Sequence, residues 1–237
     1  MDILSGGRDA DVFRHGDGLV LRRYRDGRSA EAEGALMREI GTLGYPVPTV
    51  ESVAGPDLVM ELVSGPSLAV AGLRGDVSPP ESGRILAELL DRLHALPWPD
   101  GEIRLHLDLH PFNVLMSERG PVVIDWSNSR IGPPGLDVAM TALILAQVAT
   151  NPGMLTGDPV LRAALPAGVT ANVVSDQLTG VLRSLVAHTA TRCLDHLPEA
   201  EAFRRGDRFQ SEDELARLRD AVDLVVSVAD APPPDGW

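Results

Sequence analysis

The chain has 237 residues, a formal net charge of −13 and a single cysteine, Cys193. The length suits one large domain or two lobes sharing a cleft, and one thiol excludes an internal disulfide. The acidity argues against a nucleic-acid partner, whose phosphates need a basic footprint; it is compatible with steering a cationic acceptor or with solubility alone. All 21 basic residues are Arg and none is Lys. No structural rule bars Lys from every exposed position, so the bias is read as one of coding in a GC-rich genome.

Met1-Asp2-Ile3-Leu4-Ser5-Gly6 lacks the basic head and apolar core of a signal peptide, so a cytoplasmic protein is expected. The following Gly6-Gly7-Arg8-Asp9 run is a turn between short strands. Its Gly6 and Gly7 would let backbone N–H groups approach phosphates, though a plain hairpin turn explains them as well. Residues 19–24 read as a strand, and residues 29–43 as a helix with Ser29 as N-cap and Gly44 and Pro46 as its stop. Residues 50–53 and 58–62 form a hairpin across Ala54-Gly55-Pro56-Asp57, and 63–67 is a linker. Residues 80–96 carry Ile85, Leu86, Leu89, Leu90 and Leu93 at helical spacing, with Pro97 and Pro99 ending the run. Beyond the rigid Ile131-Gly132-Pro133-Pro134-Gly135 loop, residues 138–149 are too short to span a bilayer and read as a buried helix, so no membrane association is expected. A crossover over 151–169, helices near 170–196 and 211–230, and a frayed Pro232-Pro233-Pro234 tail complete the chain.

The chemistry concentrates between residues 106 and 126. His106-Leu107-Asp108-Leu109-His110-Pro111-Phe112-Asn113 is followed by Val122-Val123-Ile124-Asp125-Trp126. The order Asp, Asn five residues on, then Asp after an apolar run suits Mg-assisted phosphoryl transfer. Asp108 would orient the acceptor hydroxyl and take its proton. Asn113 and Asp125 would supply the hard oxygens that Mg²⁺ takes from protein beside water and phosphate. The apolar segments flanking the Ser117-Glu118-Arg119-Gly120 turn predict a hairpin that sets Asn113 and Asp125 side by side.

These motifs resemble the His-Gly-Asp-Leu-His-Pro-x-Asn and Ile-Asp-Trp/Phe signatures of the aminoglycoside phosphotransferase-like small-molecule kinases, with Leu107 where the family usually has Gly. The resemblance covers roughly residues 3–150. It implies an α+β, bilobal protein-kinase-like fold: a small β-rich N-lobe with one helix over residues 1–62, and a larger, mainly helical C-lobe over 63–237. By resemblance the phosphate-binding cation is Arg22, where the family usually has Lys, and its carboxylate partner is Glu33. Glu61 and Val63 fall at the hinge, as backbone positions that would hold the base. Asp137 would brace the catalytic loop and His106 would prop it, while His110, two residues past the base, is a candidate substrate contact. The implied cofactors are ATP or GTP with Mg²⁺, and the implied partner is a small-molecule hydroxyl acceptor such as an antibiotic or amino alcohol.

Two other readings compete. A protein kinase would need an activation segment, yet only a dozen residues separate Asp125 from Asp137 and no Ala-Pro-Glu follows. A catalytically silent nucleotide-binding protein or scaffold is motivated by Arg22 and Leu107, and opposed by the presence of Asp108, Asn113 and Asp125 together.

Overall fold

The computed structural model describes residues 3–6, 9–156, 167–207 and 210–231. Gly7, part of the expected 151–169 crossover and the Pro232–Pro234 tail lie outside them. The alternating residues of the first third build an antiparallel sheet of five strands in the order β1-β2-β3-β5-β4. They are β1 (Ile3–Gly6), β2 (Ala10–Arg14), β3 (Leu19–Tyr24), β4 (Val50–Ala54) and β5 (Asp57–Glu61). The period of two places Val20, Arg22 and Tyr24 on one face of β3, with Met60 and Leu58 opposite the first two across β5.

Helix α1 (Glu31–Thr42) covers that sheet. Its N-cap is Ala30, without a side-chain cap bond, rather than the expected Ser29. The Ser29 hydroxyl sits one residue early and accepts the Glu31 N–H at 3.2 Å. Gly34 faces the sheet so closely that a Cβ there would stand 2.5 Å from Val53 Cγ2, so the helix packs at this distance only without a side chain.

After the sheet the chain is mostly helical. Helix α2 (Leu68–Arg74), unforeseen beyond the linker, starts at Ser67, whose hydroxyl accepts the Val70 N–H. Helix α3 (Pro79–His94) is capped by Ser78 and buries Ile85, Leu86, Leu89, Leu90 and Leu93. Two-residue strands β6 (Arg104–Leu105) and β9 (Arg130–Ile131) pair around the hairpin of β7 (Val114–Ser117) and β8 (Gly120–Val123). Helix α4 (Pro134–Thr150) is buried along almost its whole length, as its apolar run requires.

Short helix α5 (Gly153–Thr156) follows, then α6 (Ala171–His188), α7 (Leu197–Gly206), α8 (Glu212–Ala216) and α9 (Leu218–Asp230). The helix expected over 170–196 is therefore shorter, with α7 beyond its expected end, and the one expected over 211–230 is interrupted. The first ends where Thr189 turns extended, and a 3-10 turn leads into α7, whose first turn holds Pro198. The second divides at Arg217, after a Ser211–Glu214 capping box opens α8. Helix α6 packs on α3 at Gly83, where a Cβ would come within 2.4 Å of the Val181 carbonyl oxygen. Residues of the sheet, α1 and the helices share one core, with Met37, Ile40, Leu58, Leu86, Leu90, Trp126 and Leu136 among its largest fully buried side chains.

Candidate active site

The residues singled out between 106 and 126 converge on a cleft of about 1420 Å³ between the sheet and the helices. Its backbone is held from beneath by Asp137, in the first turn of α4 and fully buried. One carboxylate oxygen accepts the His106 N–H at 2.8 Å and the other accepts the Leu107 N–H at 2.7 Å. His94 Nε2 lies 3.0 Å from the same group. The loop therefore hangs from one buried carboxylate whose lone pairs are satisfied, the condition under which burying such a group is tolerable.

His106 fixes the loop from within. Its Nδ1 accepts the Asp108 N–H at 3.2 Å, which makes Nε2 the protonated nitrogen, and Nε2 donates to the Ile124 carbonyl at 3.1 Å. Burial holds its pKa below the usual imidazole range, so the ring is neutral and ties the catalytic loop to the approach of Asp125. It also packs edge-on against Trp126, 4.6 Å between centroids.

Leu107 has φ of 62°, the left-handed region that glycine enters freely. The family's usual glycine is thus explained by the turn itself. In this chain a leucine takes the same conformation and buries its side chain completely.

Asn113 closes a 3-10 turn immediately before β7. Its amide nitrogen donates to the Asp108 carbonyl at 2.9 Å, and the Ile124 N–H donates to the Asn113 carbonyl at 3.0 Å. The hairpin register, Val114 opposite Val123, extends through this contact to bring Asn113 alongside Asp125. Asp125 itself lies beyond the end of β8, at φ 63°. His110 Nε2 is 3.3 Å from Asn113 Nδ2 and 3.8 Å from Asp108 Oδ1, so the ring stands at the mouth of the site.

Arg22 joins the sheet to this loop. Its Nη1 donates to Glu33 Oε2 at 2.5 Å and to the Tyr24 hydroxyl at 3.0 Å, while Nη2 donates to Asp125 Oδ1 at 2.6 Å. The anticipated Arg22–Glu33 pair is present; the bridge to Asp125 was not foreseen. Glu33 is held by two further donors, the Tyr24 hydroxyl at 2.5 Å and the Trp126 N–H at 3.1 Å. Burial alone would lower the pKa of Arg22, but Asp125 and Glu33 outweigh it and raise it. Burial raises Glu33 despite Arg22 beside it, and pushes Tyr24 up to about 12.

The two carboxylates of the loop are driven apart. Burial and the neighbouring Asp125 push Asp108 up to about 6. Burial acts on Asp125 too, but Arg22 and the Ser127 hydroxyl, 2.9 Å from Oδ1, hold it below the usual carboxylate range. One group is poised to take a proton near neutrality while the other stays anionic.

At the end of β5 the Glu61 N–H is taken by the Thr49 carbonyl and the Leu62 N–H by that of Gly18. The Glu61 side chain pairs with Arg119 at 2.8 Å. Glu61 and Val63 both line the cleft. Gly6 ends β1, opposite Asp11. Sequence reasoning missed Tyr24, His94, Ser127 and the buried Arg204. Tyr24 alone carried a signal, two residues from Arg22 and therefore on its face of β3.

Kinase-like architecture built around an Asp, Asn, Asp loop defines the class to which comparison then assigns the chain. The model described as "RIO domain" matches residues 8–130, over half of the chain, and that described as "Phosphotransferase enzyme family" matches residues 96–171. The two overlap across the catalytic loop and the β7–β8 hairpin. The chain thus carries a RIO-type kinase domain, with a phosphotransferase-enzyme-family match centred on its Asp, Asn, Asp loop, on a protein-kinase-like fold.

Solved structures show the same fold at low identity. A choline/ethanolamine kinase family protein from Mesorhizobium loti superimposes with a TM-score of 0.56 and 15% identity, over 98% of this chain and 88% of that one. The ADP-bound aminoglycoside phosphotransferase APH(2'')-Ib gives 0.54 and 13%, over 96% and 93%. Amicoumacin kinase hAmiN, in complex with AMP-PNP, Ca²⁺ and Ami, gives 0.51 and 13%, over 98% and 90%. No curated protein sequence matches this chain.

Proposed function

We propose that the protein transfers the γ-phosphoryl group of ATP to a hydroxyl of a small molecule, with the lobe boundary at residues 62 and 63. The observation that carries this reading is the convergence of Asp108, Asn113, Asp125 and the Arg22–Glu33 pair on one cleft. ATP is preferred to GTP because the relatives' bound nucleotides are adenine nucleotides.

Asp108 accepts the proton of the acceptor hydroxyl; its raised pKa matches that task at neutral pH. Arg22 takes the phosphates with one face of a guanidinium oriented by Glu33, and Tyr24 keeps Glu33 in place. Val63 supports the base at the hinge: its N–H has no acceptor among the described residues, whereas those of Glu61 and Leu62 are engaged. Asp137 and His106 hold the loop that carries Asp108.

The donor set fits a magnesium ion. Asn113 spends its amide nitrogen on the Asp108 carbonyl, which leaves Oδ1 as a hard ligand, and Asp125 keeps Oδ2 while Oδ1 takes Arg22 and Ser127. Bound there, Mg²⁺ would neutralise charge on the phosphates. A small acceptor is favoured over a protein because β9 and α4 follow Asp125 within a few residues, leaving no span for a peptide platform.

The second reading, a nucleotide-binding protein without turnover, draws on the Arg22 grip on Asp125. The test is ATP consumption across a panel of hydroxyl acceptors by wild type and Asp108→Ala. Acceptor-dependent consumption that falls by roughly 10²–10⁴ in the variant supports the transferase; ATP binding without consumption across the panel supports the second reading.

A further inference from the structure

Beyond Asp108 the cleft does not end at the protein surface but continues among α2, α4, α5 and α6. Ile144 and Val148 of α4, Leu155 of α5, Val174 and Leu178 of α6, and Phe112 line this continuation. Leu155, Val169 and Val174 are buried, and Leu73, Phe112, Val148 and Leu178 pack around them as a second apolar cluster, which Leu178 joins to the main core. The amide of Gln177 is a polar group within this wall.

Among the described residues, charge at this end is sparse and balanced. Asp207 lies 3.4 Å from Arg204, and Arg204 Nε donates to Gln147 Oε1 at 2.8 Å. Asp9, Asp26 and Glu61, which also line the cleft, stand on the sheet side, where Asp9 and Asp26 engage Arg28 and Glu61 engages Arg119. A ligand bearing several ammonium groups needs several carboxylates around its reacting hydroxyl. It would meet Asp108, an Asp207 already facing a guanidinium, and apolar walls.

We infer that the acceptor carries an uncharged apolar limb beside the hydroxyl that is phosphorylated, and that the limb lodges among Val148, Leu155, Val174 and Leu178. The inference rests on the transferase reading above and narrows its acceptor to amphiphilic alcohols, against polycationic aminosugars. The acidity of the whole chain, compatible with a cationic acceptor, does not extend to the described residues of this chamber.

The experiment is a homologous series of n-alkanols, from butanol to octanol, titrated calorimetrically into the full chain and then offered as acceptors with ATP and Mg²⁺. Burial of each added methylene should tighten binding about fourfold until the chamber is filled. Val148→Trp, which obstructs the chamber away from the catalytic loop, should flatten the series while the thermal shift produced by ATP stays unchanged. Val148→Phe gives the same test with less bulk should the larger side chain fail to fold. A flat series in wild type, a series unaffected by both obstructions, or tighter binding of a polycationic aminosugar would overturn the inference. Rising affinity without ATP consumption would leave the chamber standing and refute the transferase reading instead.

Discussion

Replacing Arg22 with lysine separates a conserved charge from a lost shape. The guanidinium reaches Glu33 with one nitrogen and Asp125 with the other, at 2.5 and 2.6 Å. A compact ammonium on a different stem does not reproduce this two-pronged reach. Glu33 is the deeper group, its side chain 4% exposed against 35% for Asp125, so a lysine should stay with Glu33 and release Asp125. One charged hydrogen bond is worth about 1.5–3 kcal/mol, and each 1.4 kcal/mol is tenfold in rate. Arg22→Lys should therefore lower kcat/KM for ATP by about one to two orders of magnitude. Because the group both binds and orients, KM should rise and kcat fall together. Steady-state kinetics with ATP varied at saturating acceptor reads both. Unchanged kinetics in Arg22→Lys would refute the view that the site is shaped around a guanidinium; a gain in turnover would show that the Asp125 bridge restrains the wild type.

Three further outcomes follow from the loop. Asp108 has a folded pKa of about 6 against 3.8 unperturbed, so the native state binds more protons between those values and stability falls as pH rises through that window. Without Mg²⁺, Asp108→Asn should be more stable than wild type at pH 7–8 by about 1–3 kcal/mol and no more stable at pH 3.5, by urea denaturation; equal stability across the range would contradict the raised pKa. Asp125→Ala should remove the Mg²⁺ dependence of nucleotide binding and Asn113→Ala should weaken it less, since the carboxylate carries the charge; calorimetry with and without chelator checks this. Leu107→Gly and Leu107→Ala both delete a buried side chain, at about 2–5 kcal/mol, but only glycine relieves the left-handed backbone. The glycine variant should be the more stable of the two by roughly 1 kcal/mol, the reverse of the usual order; a more stable alanine variant would mean the loop carries no strain.

Local pattern determined much of this molecule. The Asp108, Asn113, Asp125 spacing, the β7–β8 hairpin and the buried run of α4 were legible because each rests on contacts a few residues apart or on one periodicity. The resemblance supplied Arg22, Glu33 and Asp137, each on a different element, and periodicity alone would not have joined them. What the sequence could not show were contacts between distant segments: Arg22 on Asp125, 103 residues apart, and the Trp126 N–H on Glu33, 93 apart. Helix ends were misjudged for the same reason. Residues 189–196 and Arg217 break the helical runs where packing on α4 redirects the chain, and propensity is too weak to predict that. Leu107 shows the division most plainly. Its identity marked a departure from the family, but only the turn, with φ at 62° and the side chain sealed in the core, shows why glycine is usual there and how leucine is accommodated. The acceptor chamber, too, belongs to tertiary structure alone, since α4, α5 and α6 each contribute residues whose shared cavity exists only once the helices have packed.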